Sequence, residues 1–212
     1  SVAERPGFGS FSLAGPAEVG LELRMLDQVE QIHIVACGTS YHAGLVARYW
    51  IEQLAGIPCT AEIASEYRYR DPVVKSGTMF LTISQSGETA DTLAALRYAK
   101  KLGYVATLAV CNVATSSLVR ESDISMLTMA GQEIGVASTK AFETQLIAMY
   151  LMGLHLGRIR GTISATLMAE IENELAELPA KVEQVLETVE PLRELTRKFS
   201  KSTSMLFLGR HV

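Results

Sequence analysis

Apolar residues along the chain fall into short, nearly continuous runs separated by segments with helical spacing. Four of the runs are β-rich: IHIVA (32–36), TAEIA (60–64), TMFLTIS (78–84) and YVATLAVC (104–111); a weaker fifth is ISMLTM (124–129). Between and after them, Tyr41–Ala55, Ala90–Leu102, Ser116–Glu121 and Thr139–Arg158 have the length and periodicity of helices. Alternating strand and helix, with strands apolar on both faces, predicts a parallel sheet covered on both sides. The expected fold is therefore α/β: a doubly wound, five-stranded parallel sheet in a three-layer αβα sandwich, with extra helices at its C-terminal side.

The flanking segments read differently. Residues 1–17 are rich in Gly, Pro and Ser, and Ala17–Glu30 carries apolar residues at helical spacing, so 1–30 reads as a linker with a lead-in helix. The main domain spans 31–160. Connecting helices follow over 161–202, where Leu175, Leu178, Val182, Val185, Leu186, Val189 and Leu192 recur every three or four residues, with breaks expected at Pro179 and Pro191. Residues 203–212 then open a new apolar run, SMLFLGRHV, which has the length and layout of IHIVACGTS at the first strand. It is read as the first strand of a second repeat, cut off by the chain boundary.

Composition narrows the function classes. The chain has 212 residues, 48% hydrophobic and 20% charged, with a formal net charge of −4, so it lacks the basic footprint of a nucleic-acid binder. The apolar stretch Leu146–Gly157 contains His155 and falls short of the roughly 20 residues a membrane span requires. No basic start followed by an apolar stretch marks a secretory signal. The three scattered cysteines, Cys37, Cys59 and Cys111, form no metal-ligand pair, and a reduced, cytoplasmic setting is expected. No metal or cofactor is expected, and a small molecule is the default ligand.

In doubly wound sheets ligands sit outside the carboxyl ends of the strands. Three loops there carry hydroxyls at helix starts. Ser84-Gln85-Ser86-Gly87-Glu88-Thr89 follows strand three, Cys37-Gly38-Thr39-Ser40 follows strand one, and Gly135-Val136-Ala137-Ser138-Thr139-Lys140 opens the helix after strand five. A helix N-terminus presents unpaired N–H groups and a partial positive charge, so main chain and hydroxyls together can hold an oxyanion without a lysine. The same hydroxyls could simply cap their helices. Three such loops converging favours a phosphorylated polyol or sugar. GxGxxG and GxxxxGK[ST] are absent, which disfavours nucleotides, and the loops lack aromatic residues for stacking a flavin. Cys37 is read as a lining residue, His33 as a packed strand residue and His42 as a helix-surface residue. Glu88 is assigned to the dipole of the helix it opens, neither Glu88 nor Glu133 is given a proton-transfer role, and Lys140 either offsets ligand charge or is solvated.

The segments ACGTSYHAG, LAGIPC, ASEYRYR, ISQSGETADTL, CNV…SSLVRESD and EIGVASTKAFETQ, in this order and spacing, resemble the isomerase part of the glutamine:fructose-6-phosphate aminotransferase family over about His33–Leu208. SQSGETADT alone would indicate only the broader sugar isomerase (SIS) superfamily. The resemblance implies a fructose 6-phosphate and glucosamine 6-phosphate pocket with Ser84, Gln85, Ser86 and Thr89 around the phosphate and Ser40 close by. Thr39, Val136 and Ser138 would touch the sugar. It also implies a glutaminase domain and a second SIS half elsewhere in the enzyme, that second half supplying the catalytic Glu, Lys and His, so that this chain alone is inactive. A homodimer is implied too, with Ser65–Arg70 either at its interface or on ordinary surface. The competing expectation is a SIS module that binds phosphosugars for regulation, without turnover.

Overall fold

The computed structural model describes residues 26–135 and 137–209. Five strands alternate with helices: β1 (Gln31–Ala36), α1 (Gly38–Ala55), β2 (Cys59–Ile63), α2 (Ala64–Tyr67), β3 (Thr78–Ser84), α3 (Ala90–Ala99), β4 (Ala106–Cys111), α4 (Ser117–Glu121), β5 (Ile124–Leu127) and α5 (Lys140–Arg160). All strand pairs are parallel and the order is β2-β1-β3-β4-β5. The expected α/β sandwich is therefore present. Its strand order puts the reversal of winding between β1 and β3, the switch point of a flavodoxin-like sheet.

Alternation along each strand sorts the core into two layers. On one face Ile32, Ile34, Met79, Leu81, Ile83, Leu108 and Val110 pack with Ala47 and Ile51 of α1 and Met149, Met152 and Leu156 of α5. On the other, Val35, Phe80 and Ala109 meet Tyr67 of α2, Leu93, Leu96 and Ala99 of α3, and Leu118 of α4. The central strand β3 is buried at every position, which explains its unbroken apolar run. Helices α1 and α5 approach closely at Gly157, where a Cβ would lie 2.6 Å from the Leu54 carbonyl oxygen.

One polar chain crosses the second layer. Arg70 donates two bonds of 2.6 Å to the Glu62 carboxylate, and Glu62 lies 3.2 Å from His33 Nε2; His33 Nδ1 is 2.9 Å from the Tyr104 hydroxyl, itself 2.9 Å from that of Tyr67. Burial holds the His33 pKa below its ordinary value, against the pull of Glu62, so the ring is neutral and its contact with Glu62 is a hydrogen bond rather than an ion pair. Nε2–H then donates to Glu62, Tyr104 donates to Nδ1, and Tyr67 donates to Tyr104. His33 is thus the packed strand residue expected.

Leu26 and Asp27 are helical, and the part of the expected lead-in helix before residue 26 lies outside the described residues. A separate unit begins at Ala165 and holds α6 (Ala165–Leu186) and α7 (Val189–Arg197). Pro179 does not break α6, contrary to expectation, and Pro191 stands in the first turn of α7, where its missing N–H has no helical partner to lose. Residues 203–209 form no strand, although one was expected over 203–212. A strand needs a neighbour to take its backbone bonds, and Leu206, Phe207 and Leu208 are instead more than 80% exposed.

Candidate functional site

At the carboxyl ends of β1 and β3 the chain turns into α1 on one side of the sheet and α3 on the other. The divergence leaves a cavity of about 220 Å³. Its walls are Cys37, Gly38, Thr39 and Ser40 from the start of α1, Ile83, Ser84, Gln85, Ser86, Thr89 and Thr92 from the end of β3 into α3, and Gly135 and Ser138 from the segment before α5. Seven of the eight residues expected to bind ligand come together here: Thr39, Ser40, Ser84, Gln85, Ser86, Thr89 and Ser138. Val136 lies outside the described residues. Cys37 is a half-buried lining residue, and Lys140 is exposed and does not line the cavity.

The β3–α3 loop is rigidly built. Ser84 Oγ accepts from the Gly87 N–H at 3.0 Å and Ser86 Oγ from the Glu88 N–H at 3.2 Å, so both hydroxyls keep their own protons. The Gln85 carbonyl accepts from the Asn112 N–H at 3.3 Å, and the Gly87 carbonyl from the Leu118 N–H at 3.1 Å. Gly87 has φ +68°, and a Cβ there would lie 2.5 Å from Ser116 Cβ, 2.8 Å from Cys111 Sγ and in collision with Ser116 Oγ. Backbone conformation and space both require glycine.

Whether the loop hydroxyls cap helices is answered residue by residue. Thr89, the N-cap of α3, makes no capping bond and its hydroxyl instead stands 3.5 Å from Ser84 Oγ; α1 has no side-chain cap either. These are the two helix starts that face the cavity. The starts of α4 and α5 are closed by side chains. Ser116 caps α4 by accepting from Val119 N–H, and Glu88 Oε1 accepts from Ser117 N–H at 2.6 Å. Glu133 accepts from the N–H groups of Thr139 and Ala141 at 3.1 and 2.8 Å and from the Thr139 hydroxyl at 2.9 Å. Backbone donors at Ser117 and Thr139, respectively, hold the Glu88 and Glu133 carboxyls below the usual range.

Two expectations change accordingly. Glu88 serves the start of α4 rather than that of its own helix, and the third loop offers the cavity a hydroxyl but not the Thr139 and Ala141 N–H groups, which Glu133 occupies. With Glu88 and Glu133 engaged as caps and no Lys, Arg, His, Asp or Glu on the wall, the described cavity is a set of neutral donors without a general base. Among the described residues no group of three or more His, Cys, Asp or Glu could hold a metal ion, and no helix is long and apolar enough to cross a membrane.

Two residues of the site were not expected from the sequence. Thr92 follows Thr89 by one helical turn and also lines the cavity, at 1% exposure. Gln145 lies behind the wall on α5, 1% exposed, with Nε2 donating to Ser40 Oγ at 3.1 Å. Its polarity within the otherwise apolar buried stripe Ala141, Ala148, Met149 and Met152 was the one available cue. A second cavity of about 480 Å³, lined by Asn112, Val113, Met129, Gly131 and Glu133 among others, shares Gln85 with the first.

Residues 25–154 match the family model of the SIS domain. The chain belongs to the SIS domain family. Among SIS proteins it is 57% identical over 183 residues to the isomerizing glutamine–fructose-6-phosphate aminotransferase of Pseudomonas putida, covering 86% of this chain and 30% of that one. The namesake in Haemophilus influenzae is 54% identical over 186 residues, with 88% and 30% covered. The chain thus spans about 30% of the length of the curated relatives it matches. Its fold follows the C-terminal domain of glucosamine-fructose-6-phosphate aminotransferase from Francisella tularensis with a TM-score of 0.83 and 48% identity, over 85% of this chain and 50% of that one. Glucosamine-6-phosphate deaminase of Thermotoga maritima, at 23% identity and a TM-score of 0.58 over 70% of this chain and 45% of that one, shares the fold alone.

Proposed function

We propose that this SIS domain is the sugar-phosphate-binding half of the isomerase part of a glutamine–fructose-6-phosphate aminotransferase, which converts fructose 6-phosphate and glutamine to glucosamine 6-phosphate and glutamate. The observation that carries the reading is the cavity at the β1/β3 switch point, where two uncapped helix starts meet hydroxyls that retain their protons. A phosphate ester needs several donors aimed at one point, and Ser84, Ser86, Thr89 and the N-terminus of α3 supply them. Thr39, Ser40, Val136 and Ser138 are assigned to the phosphate rim and the sugar hydroxyls. The identity of 54–57% to aminotransferases supports the substrate assignment.

Isomerisation of a ketose phosphate moves a proton between adjacent carbons and requires a positioned base. The described wall has none, so this chain binds and orients the sugar phosphate, while a second SIS half supplies the proton-transfer groups and a glutaminase domain the nitrogen. The working enzyme is a cytoplasmic homodimer in this reading, and the chain by itself is inactive.

The test is a thermal titration with fructose 6-phosphate, glucosamine 6-phosphate and inorganic phosphate. Ligand bound only to the folded state raises the melting temperature. Both sugar phosphates should stabilise the parent more than phosphate does, and Ser86→Ala and Thr89→Ala should each abolish most of the gain. Equal responses in parent and variants would refute the assignment of the phosphate to this loop.

A further inference from the structure

Gln145 is almost fully buried, and among the described residues its Oε1 has no hydrogen-bond partner. Among the described residues its Nε2 makes a single bond, to Ser40 Oγ at 3.1 Å, from α5 across to the first turn of α1. An apolar side chain of the same length would fill the site without leaving a buried oxygen unpaired, so packing alone does not account for an amide here. The bond to Ser40 does.

A serine hydroxyl has one proton and two lone pairs. Gln145 occupies one lone pair, and no other hydrogen bond of Ser40 Oγ occurs among the described residues. The serine proton is then free to point into the cavity that Ser40 lines, and donation into its oxygen makes that proton a better donor. With the amide turned over, Ser40 would give its proton to Gln145 and show only lone pairs to the cavity, which repel an anion. That arrangement would also bury the whole amino group without a partner.

We infer that Gln145 is a positioning residue of the cavity: it fixes Ser40 as a hydrogen-bond donor toward an anionic oxygen of the bound sugar phosphate. This rests on the sugar-phosphate reading above, and its test separates the two. Fructose 6-phosphate is titrated calorimetrically into the parent chain, Gln145→Met, Ser40→Ala and the double variant. Gln145→Met should weaken binding about tenfold, the worth of one hydrogen bond to a charged group. In the Ser40→Ala background it should change affinity less than about twofold, because the hydroxyl it orients is gone.

The unliganded melting temperature of Gln145→Met should equal or exceed that of the parent, since the unpaired oxygen is removed. If Gln145→Met does not fold, Gln145→Asn keeps the amide but is one methylene too short to reach Ser40, and carries the same expectation for affinity, with a lower unliganded melting temperature because its buried amide is left unpaired. An affinity unchanged by Gln145→Met, or weakened by the same factor with and without the Ser40 hydroxyl, overturns the inference alone. A parent chain that binds neither fructose 6-phosphate nor glucosamine 6-phosphate at millimolar concentration overturns the functional reading and this inference with it.

Discussion

Replacing Gly87 with alanine puts a methyl group where Ser116 and Cys111 already stand, in a backbone conformation that L-residues avoid. The left-handed φ of +68° costs alanine about 1–2 kcal/mol. The new Cβ, 2.5 Å from Ser116 Cβ and 2.8 Å from Cys111 Sγ, forces a shift of the overpacking kind, worth about 1–3 kcal/mol. Alanine restricts the unfolded chain relative to glycine and returns about 0.4–1 kcal/mol. The net loss is then about 1–4.6 kcal/mol, and for a domain of this size the melting temperature should fall by roughly 2–18 °C. Differential scanning calorimetry of the single and double variants measures it. Because Gly87 N–H and C=O bond Ser84 Oγ and Leu118 N–H, the displaced loop should also lose its response to fructose 6-phosphate. Ser116→Gly removes two of the three colliding atoms, so Gly87→Ala should cost less in that background by at least about 1 kcal/mol, even though Ser116 is also a cap. A single variant melting within about 2 °C of the parent, or strict additivity in the pair, would show that the loop is not crowded as described.

Two further outcomes test other parts of the structure. The folded-state pKa of His33 lies below its unfolded value near 6.5, so the unfolded chain binds the proton more readily and stability should fall as pH drops from about 7 through 6.5 toward the lowered value. Denaturant midpoints should therefore be flat above pH 7.5 and decline by pH 5.5. His155 is depressed as well, mainly by burial, so it is the difference between the parent and His33→Gln that isolates His33; equal slopes in the two would discard the neutral buried imidazole. Among the cysteines, Cys59 is 4% exposed and its thiol is pushed up to about 12 by burial, and Cys111 is fully buried, whereas Cys37 is half-buried on the cavity wall. Iodoacetamide at pH 8, followed by mass spectrometry, should label Cys37 first, and fructose 6-phosphate should slow that labelling; faster modification of Cys59 would contradict the burial described.

The sheet was legible in the chain because buried parallel strands are continuous apolar runs, a signal that needs no tertiary knowledge. TMFLTIS coincides with β3, and the other four expected strands differ from the observed ones by one or two residues at their ends. The start of α1 was less legible: Gly38, Thr39 and Ser40 have poor helix propensity, yet they form its first turn, where N–H groups are unpaired in any case. Pro179 was expected to break a helix that runs through it. The hydroxyl loops could be found from their place after strands, but not which helix starts were closed. Glu88 reaches a helix 29 residues onward, and Gln145 meets a serine 105 residues earlier. Such partners are set by strand order and helix packing, which local periodicity does not encode.

The absence of any charged side chain from the described cavity wall has a consequence for how a ligand arrives and leaves. An anion pocket built from lysines attracts its ligand over about a Debye length, near 10 Å at 0.1 M salt, and yields to competing ions as salt rises. Hydroxyl and amide dipoles act only within contact distance. Such a pocket does not gather anions from solution, and its affinity should change little with ionic strength. It distinguishes its ligand from the abundant small anions around it by the arrangement of donors, not by the amount of charge.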